Sequence, residues 1–176
     1  MVSINRKGVK IYVVPAGTNG SAVNVEPLKG EITNYDKTGG ERNRESEPVF
    51  GGFAHREESR SDYEIEFGII PSLTHIGRWE GMDMGAHDTD VWASNIDPED
   101  KAIFIVAEIG SDTVTYAFNN AYALNFDWSH EANDVREGTM NFKIAPEDVD
   151  GLANFVAVKG DLNSVPDWST LTGDDS

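Results

Sequence analysis

The sequence predicts a mainly β protein, an antiparallel sandwich or barrel with one short helix. Three observations carry this. Several segments alternate polar and apolar residues with a period of two, as in Tyr63-Glu64-Ile65-Glu66-Phe67, the pattern of a strand with one buried face. One run, KAIFIVAEI from Lys101 to Ile109, is apolar and rich in β-branched residues, as a central strand covered on both faces should be. Turn-forming residues separate about seven or eight such segments, the spacing of an all-β domain.

Taken in order, Val9 to Val14 reads as the first strand, ended by Pro15 and Gly17. A polar loop over Thr18–Val25 follows, and Glu31-Ile32-Thr33-Asn34-Tyr35 alternates as the second strand. Its partner, Tyr63–Phe67, returns only after 27 residues, 36 to 62. A compact domain seldom holds so long a structureless connection unless the connection has a job. This one carries Gly39-Gly40, Gly51-Gly52 and an apolar island, Pro48-Val49-Phe50, with charges on both sides. It reads as an arm built to lie on a neighbouring subunit.

Leu73, Ile76 and Trp79 can line one face of the short helix, although Gly77 and Gly81 interrupt it. Residues 83–100 read as an acidic loop. Beyond the apolar strand, Thr113–Phe118 and Tyr122–Trp128 both alternate, with Asn119-Asn120 between them. That predicts a hairpin with Tyr122, Leu124, Phe126 and Trp128 on one face. Thr139–Ile144 and Asn154–Lys159 supply two more strands. The domain thus spans residues 1–160, and 161–176, with Pro166 and a Gly-Asp-Asp-Ser end, reads as a flexible tail.

The chain has 176 residues, enough to bury a core without staples. It has no cysteine, which excludes disulfides, thiol nucleophiles and thiolate metal sites. The first ten residues contain no long apolar run, so no secretory signal is expected. No segment approaches the roughly 18 apolar residues of a membrane span. The formal net charge is −17, from 31 acidic and 14 basic residues. Such a surface disfavours phosphate binding, which depends on Lys and Arg. It suits a halophilic host, because molar salt shortens the Debye length to about 3 Å and quiets carboxylate repulsion.

No catalytic constellation is visible: there is no G-x-S-x-G, no phosphate-binding glycine loop and no HExxH, so an enzyme is not expected. Glu64 and Glu66 lie two apart on a strand and share its solvent face. Asp83, His87, Asp88 and Asp90 form the densest group of oxygen and imidazole ligands, with Asp83, Asp88 and Asp90 the candidates for an ion. They lack the central glycine and distal glutamate of a calcium loop, so a solvated acidic loop, and no cofactor, is the expectation.

ITNY…GGERNRESEPVFGGF followed by EIEFGIIP resembles the N-terminal half of the major tail tube proteins of long-tailed phages and related archaeal viruses, over roughly residues 10–70. No generic turn requires the GGERxxESxPVFGG combination. The resemblance implies a virion tail protein of a siphovirus-like, haloarchaeal virus, assembled in the host cytoplasm as a homo-hexamer. Its rings stack into a tube that conducts DNA during ejection without binding it specifically. The implied partners are tail terminator, tape measure and baseplate proteins, with no membrane.

Carried onto this chain, the inter-subunit arm is Gly39, Gly40, Arg42, Arg44, Glu45, Pro48, Val49, Phe50, Gly51, Gly52 and Phe53. The lumen-facing positions are Glu31, Thr33, Glu64, Glu66, Asn125, Asn141 and Lys143. A hexameric ring protein of a contractile or secretion machine shares the implied fold. A monomeric acidic sandwich that stacks sugars on Trp79, Trp92 or Trp168 is the alternative of a different class.

Overall fold

The structure, a computed structural model, describes residues 9–25, 27–28, 32–48, 54–70, 100–129 and 137–172. The expected 73–79 helix, Glu31, residues 49–53 and the candidate ion ligands Asp83, Asp88 and Asp90 lie outside them. The strands are β1 (Val9–Pro15), β2 (Ile32–Gly39), β3 (Arg42–Pro48), β4 (Ala54–Arg60), β5 (Tyr63–Ile69), β6 (Lys101–Ile109), β7 (Asp112–Ser129), β8 (Glu137–Ile144) and β9 (Phe155–Lys159). All pairings are antiparallel.

Two sheets share β7. Its first half pairs with β6 and β9, and β6 with β1, giving an inner sheet. Its second half pairs with β8, then β5, then β2, giving an outer sheet. The main core lies between them. Ile11, Val13, Ile103, Ile105 and Phe118 come from the inner sheet, and Ile65, Phe67, Ile69, Met140, Phe142 and Ile144 from the outer. Phe67 and Phe142 meet edge to face, with centroids 6.0 Å apart, a geometry that adds about 0.5–1.5 kcal/mol to their burial.

A second apolar layer covers the far face of the inner sheet: Val14, Ala102, Phe104 and Ala117 pack against Val165 and Trp168. This explains β6. Its residues alternate between the two layers, Ile103 and Ile105 to one, Ala102 and Phe104 to the other, so both faces must be apolar. The outer sheet has one covered face, and β5 accordingly alternates buried and exposed from Tyr63 to Phe67.

Three expectations are corrected. Asn119-Asn120 is not a hairpin turn. β7 runs straight through as 18 residues: a type I′ turn needs positive φ at both central positions and a type II′ turn at the first, whereas only Asn120, the second, has it, at φ 55. The result is a bulge opposite Lys101–Ile103, where the strand leaves one sheet for the other. A second irregularity between Ala123 and Asn125 shifts the side-chain phase by one. Phe126 therefore packs on the core while Tyr122 and Leu124 are exposed.

The supposed tail is also part of the fold. Residues 161–172 make 3₁₀ turns at Leu162–Ser164 and Trp168–Thr170, and Trp168 is only 4% exposed. Its indole N–H donates to the Thr18 carbonyl at 2.9 Å, and its backbone N–H donates to Asn19 Oδ1 at 3.1 Å. Lastly, the 36–62 excursion is not strandless. β2 continues to Gly39, and β3 and β4 pair as a two-stranded ribbon. Charge hid these strands, because a ribbon that pairs apart from the main sheet needs no apolar face and so leaves no period-two hydrophobic pattern to read.

Candidate assembly surfaces

The outer sheet presents one polar face, and its register can be read in rows. Thr38, Glu64, Lys143 and Tyr122 form one row, and Asp36, Glu66, Asn141 and Asn125 the next. Asn34, Gly68, Thr139 and Asp127 form the third. A Cβ on Gly68 would run into Asn34 Oδ1 and Thr33 Oγ1, so both side chains lie over that glycine on this face.

Five of the predicted lumen positions, Glu64, Glu66, Asn125, Asn141 and Lys143, thus share one surface, and Thr33 joins them. Asn34, Asp36, Thr38, Asp127 and Thr139 belong to it too and were missed. The alternation Asn34, Asp36, Thr38 was the available signal, obscured where β2 turns wholly polar.

Asn141 Nδ2 donates to Asn125 Oδ1 at 3.1 Å, and Asn125 Nδ2 donates to Asp127 Oδ2 at 2.6 Å. Lys143 Nζ lies 3.7 Å from Asp62, an exposed pair that contributes little to stability. With Asp36, Glu64, Glu66 and Asp127 against one lysine, the face is anionic. Among the described residues, no group of three or more His, Asp or Glu can hold a metal ion. On the opposite, core-side surface, burial and then the neighbouring Tyr116 push the Tyr35 phenol above its ordinary 10.0.

Both ends of this sheet are edges. Among the described residues, β2 pairs only with β5, and the second half of β7 only with β8. Unpaired edges are ready templates for another strand.

The ribbon leaves the outer sheet through a glycine joint. Gly39 and Gly40 have φ +84 and +73, a left-handed pair that only glycine enters freely. Gly40 N–H donates to the Asp62 carbonyl and Ser61 N–H to the Glu41 carbonyl, so β2–β5 pairing passes across the joint into β3–β4. A Cβ at Gly39 would meet the Asp62 carbonyl oxygen, and one at Gly40 the Tyr63 ring. Gly40→Val is expected to cost about 2–3 kcal/mol, since a β-branched residue at positive φ adds strain to the clash. A thermal melt indistinguishable from wild type would show that the joint tolerates bulk.

Arg42 stands at the ribbon root, Arg44, Glu45 and Pro48 further along β3. Val49, Phe50, Gly51, Gly52 and Phe53 lie outside the described residues. Trp168, one of three candidate sugar platforms, is buried and cannot stack on a ligand. The other two, Trp79 and Trp92, lie outside the described residues.

No protein-family model matches the sequence, and no curated protein matches it. Among solved structures, the chain is similar to a chain of the sheath–tube complex of an extracellular contractile injection system, PVC, in its extended state. Identity is 12% over 90% of this chain and 93% of that chain, with a TM-score of 0.52. A chain of the tube-terminating cap of the anti-feeding prophage, AFP, matches at 10% identity over 91% of this chain and 93% of that one, TM-score 0.49. The PVC sheath/tube terminator matches at 12%, 85% and 93%, TM-score 0.46. The first shows a shared fold, mainly antiparallel β.

Proposed function

We propose that this chain is the structural subunit of a tail tube, closing into hexameric rings that stack around a DNA-conducting lumen. One observation carries the reading. The outer sheet has a polar, anionic face turned away from the core and, among the described residues, an open strand at each end. Ring closure needs head-to-tail contacts between two different surfaces of one subunit. The β2 and β7 edges are two such surfaces, and sheets joined through them would line a channel with the polar face. Carboxylates there repel DNA phosphates and keep the genome moving.

The tube would belong to a siphovirus-like virion of a haloarchaeal host, assemble in the host cytoplasm, and meet terminator, tape measure and baseplate proteins at its ends. A second reading, the inner tube of a contractile injection machine, is favoured by the likeness to the PVC sheath–tube chain. Binding of a sheath protein to assembled tubes separates the two.

Negative-stain electron microscopy of the purified protein in molar salt tests the role. Rings or hollow tubes are expected, and a monomer that binds a sugar or an ion would overturn it. Deleting residues 40–58 should leave a folded monomer that does not polymerise. Normal tubes from that deletion would sink the assembly role of the arm.

The halophilic part has its own readout. With a net charge of −17, the melting midpoint is expected to rise on the order of 10 °C between about 0.1 M and about 2 M NaCl. A flat response would place the charge surplus in assembly alone.

A further inference from the structure

The register of the β3–β4 ribbon sorts its charges. Directly paired residues share a face, and the face alternates at each step along the strand. Pairing of Arg42 with Arg60, Arg44 with Glu58 and Ser46 with Arg56 puts four arginines and one glutamate on one face. Pairing of Glu45 with Glu57 and Glu47 with His55 puts three glutamates and a histidine on the other. Residues 42–60 hold four arginines and four glutamates, so the ribbon is neutral as a whole. By face it is strongly polar, and the entire −17 of the chain sits elsewhere.

Most described cations outside the ribbon are already engaged. Lys37 lies over the Tyr63 and Phe155 rings at 4.9 and 5.0 Å. Lys143 faces Asp62 and Lys159 faces Asp112, and Lys101 is buried. Two copies of so acidic a body repel one another unless a cationic surface stands between them. We infer that the arginine face of the ribbon docks on the carboxylate-rich body of a second copy of this chain, with the glutamate face turned away from it. The inference rests on the tube reading and names the face that makes the contact. Guanidinium groups suit the task, because their planar forks bind carboxylates bidentately and fix register. The left-handed Gly39-Gly40 joint sets the direction in which that face is presented.

Arg42 and Arg60, at the root, have interactions within the chain, so the test uses positions further out. Wild type, R44E/R56E and E45K/E57K are compared in a salt range where wild type is folded, with circular dichroism melts as the fold control. The readout is the concentration at which rings or tubes appear by sedimentation and microscopy. R44E/R56E is expected to raise that concentration at least about tenfold, since like charges set against each other disfavour association, while E45K/E57K stays within about twofold. If the reversal lowers the melting midpoint, R44Q/R56Q removes the same charges more gently and should show the same order of variants. Assembly of the arginine variant at the wild-type concentration, or equal weakening by both faces, overturns the inference and leaves the tube reading standing. A wild-type chain that stays monomeric at every concentration overturns both.

Discussion

Trp168→Ala is expected to cost about 3–5 kcal/mol, the range for removing a large buried aromatic side chain. Trp168 is 4% exposed, lies 6.2 Å from the Phe104 ring centroid, and donates its indole N–H to Thr18. Its loss leaves a cavity over the inner sheet and an unpaired carbonyl beside it. At about 2–4 °C per kcal/mol for a chain of this size, the midpoint should fall by on the order of 10 °C. Trp168→Phe keeps most of the ring and loses only the indole bond, so about 1–2 kcal/mol is expected. Thermal melts of both variants are the check. If alanine costs less than about 1 kcal/mol, residues 161–172 are not the cover that the fold assigns them.

Asn154→Ala is expected to cost about 2–4 kcal/mol for a different reason. Asn154 is 1% exposed. Its Nδ2 donates to the Ala145 carbonyl at 3.1 Å, and its Oδ1 accepts from Asn120 Nδ2 at 2.9 Å. Its backbone carbonyl accepts from Asn119 N–H at 2.8 Å, and Asn119 Oδ1 in turn accepts from Gly17 N–H at 2.8 Å. The amide therefore pins the bulge at which β7 changes sheets. Alanine removes two hydrogen bonds, each worth about 0.5–1.5 kcal/mol, and leaves a gap where the buried amide sat, while the partners, half-buried Asn120 and exposed Ala145, can still reach water. Asn120→Gly keeps the positive φ and drops one bond, so it should cost about half as much. Equal melts for Asn154→Ala and wild type would mean that the bend is held by packing alone.

Legibility in the sequence followed the physical environment of each segment. β5, β6 and β8 were readable because burial on one face or two leaves a direct imprint on hydrophobic pattern. The same imprint located Glu64, Glu66, Asn141 and Lys143 on one surface. β7 misled because Asn119-Asn120 has the composition of a turn. Only the partners of Asn154 and Gly17, distant in sequence, convert it into a bulge. The C-terminal cover was concealed by its polar composition, yet Leu162, Val165, Trp168 and Leu171 recur every third residue. That is the period of a 3₁₀ helix, and all four pack in the second apolar layer. The ribbon was legible as an excursion with charge, but its pairing, and with it the sorting of charge by face, required register.

The contact of Trp168 with Thr18 and Asn19 ties together residues separated by about 150 positions. β1 likewise waits for β6, since Val9 pairs with Ala107. During synthesis, β1 has no strand partner among the described residues until 101–107 have emerged, and the second apolar layer is not covered until Val165 and Trp168 follow. Such distant pairings fold slowly. A ribosome-bound fragment ending before residue 160 should therefore remain open to chaperones and proteases, whereas one that also exposes residues 161–172 should close in one cooperative event.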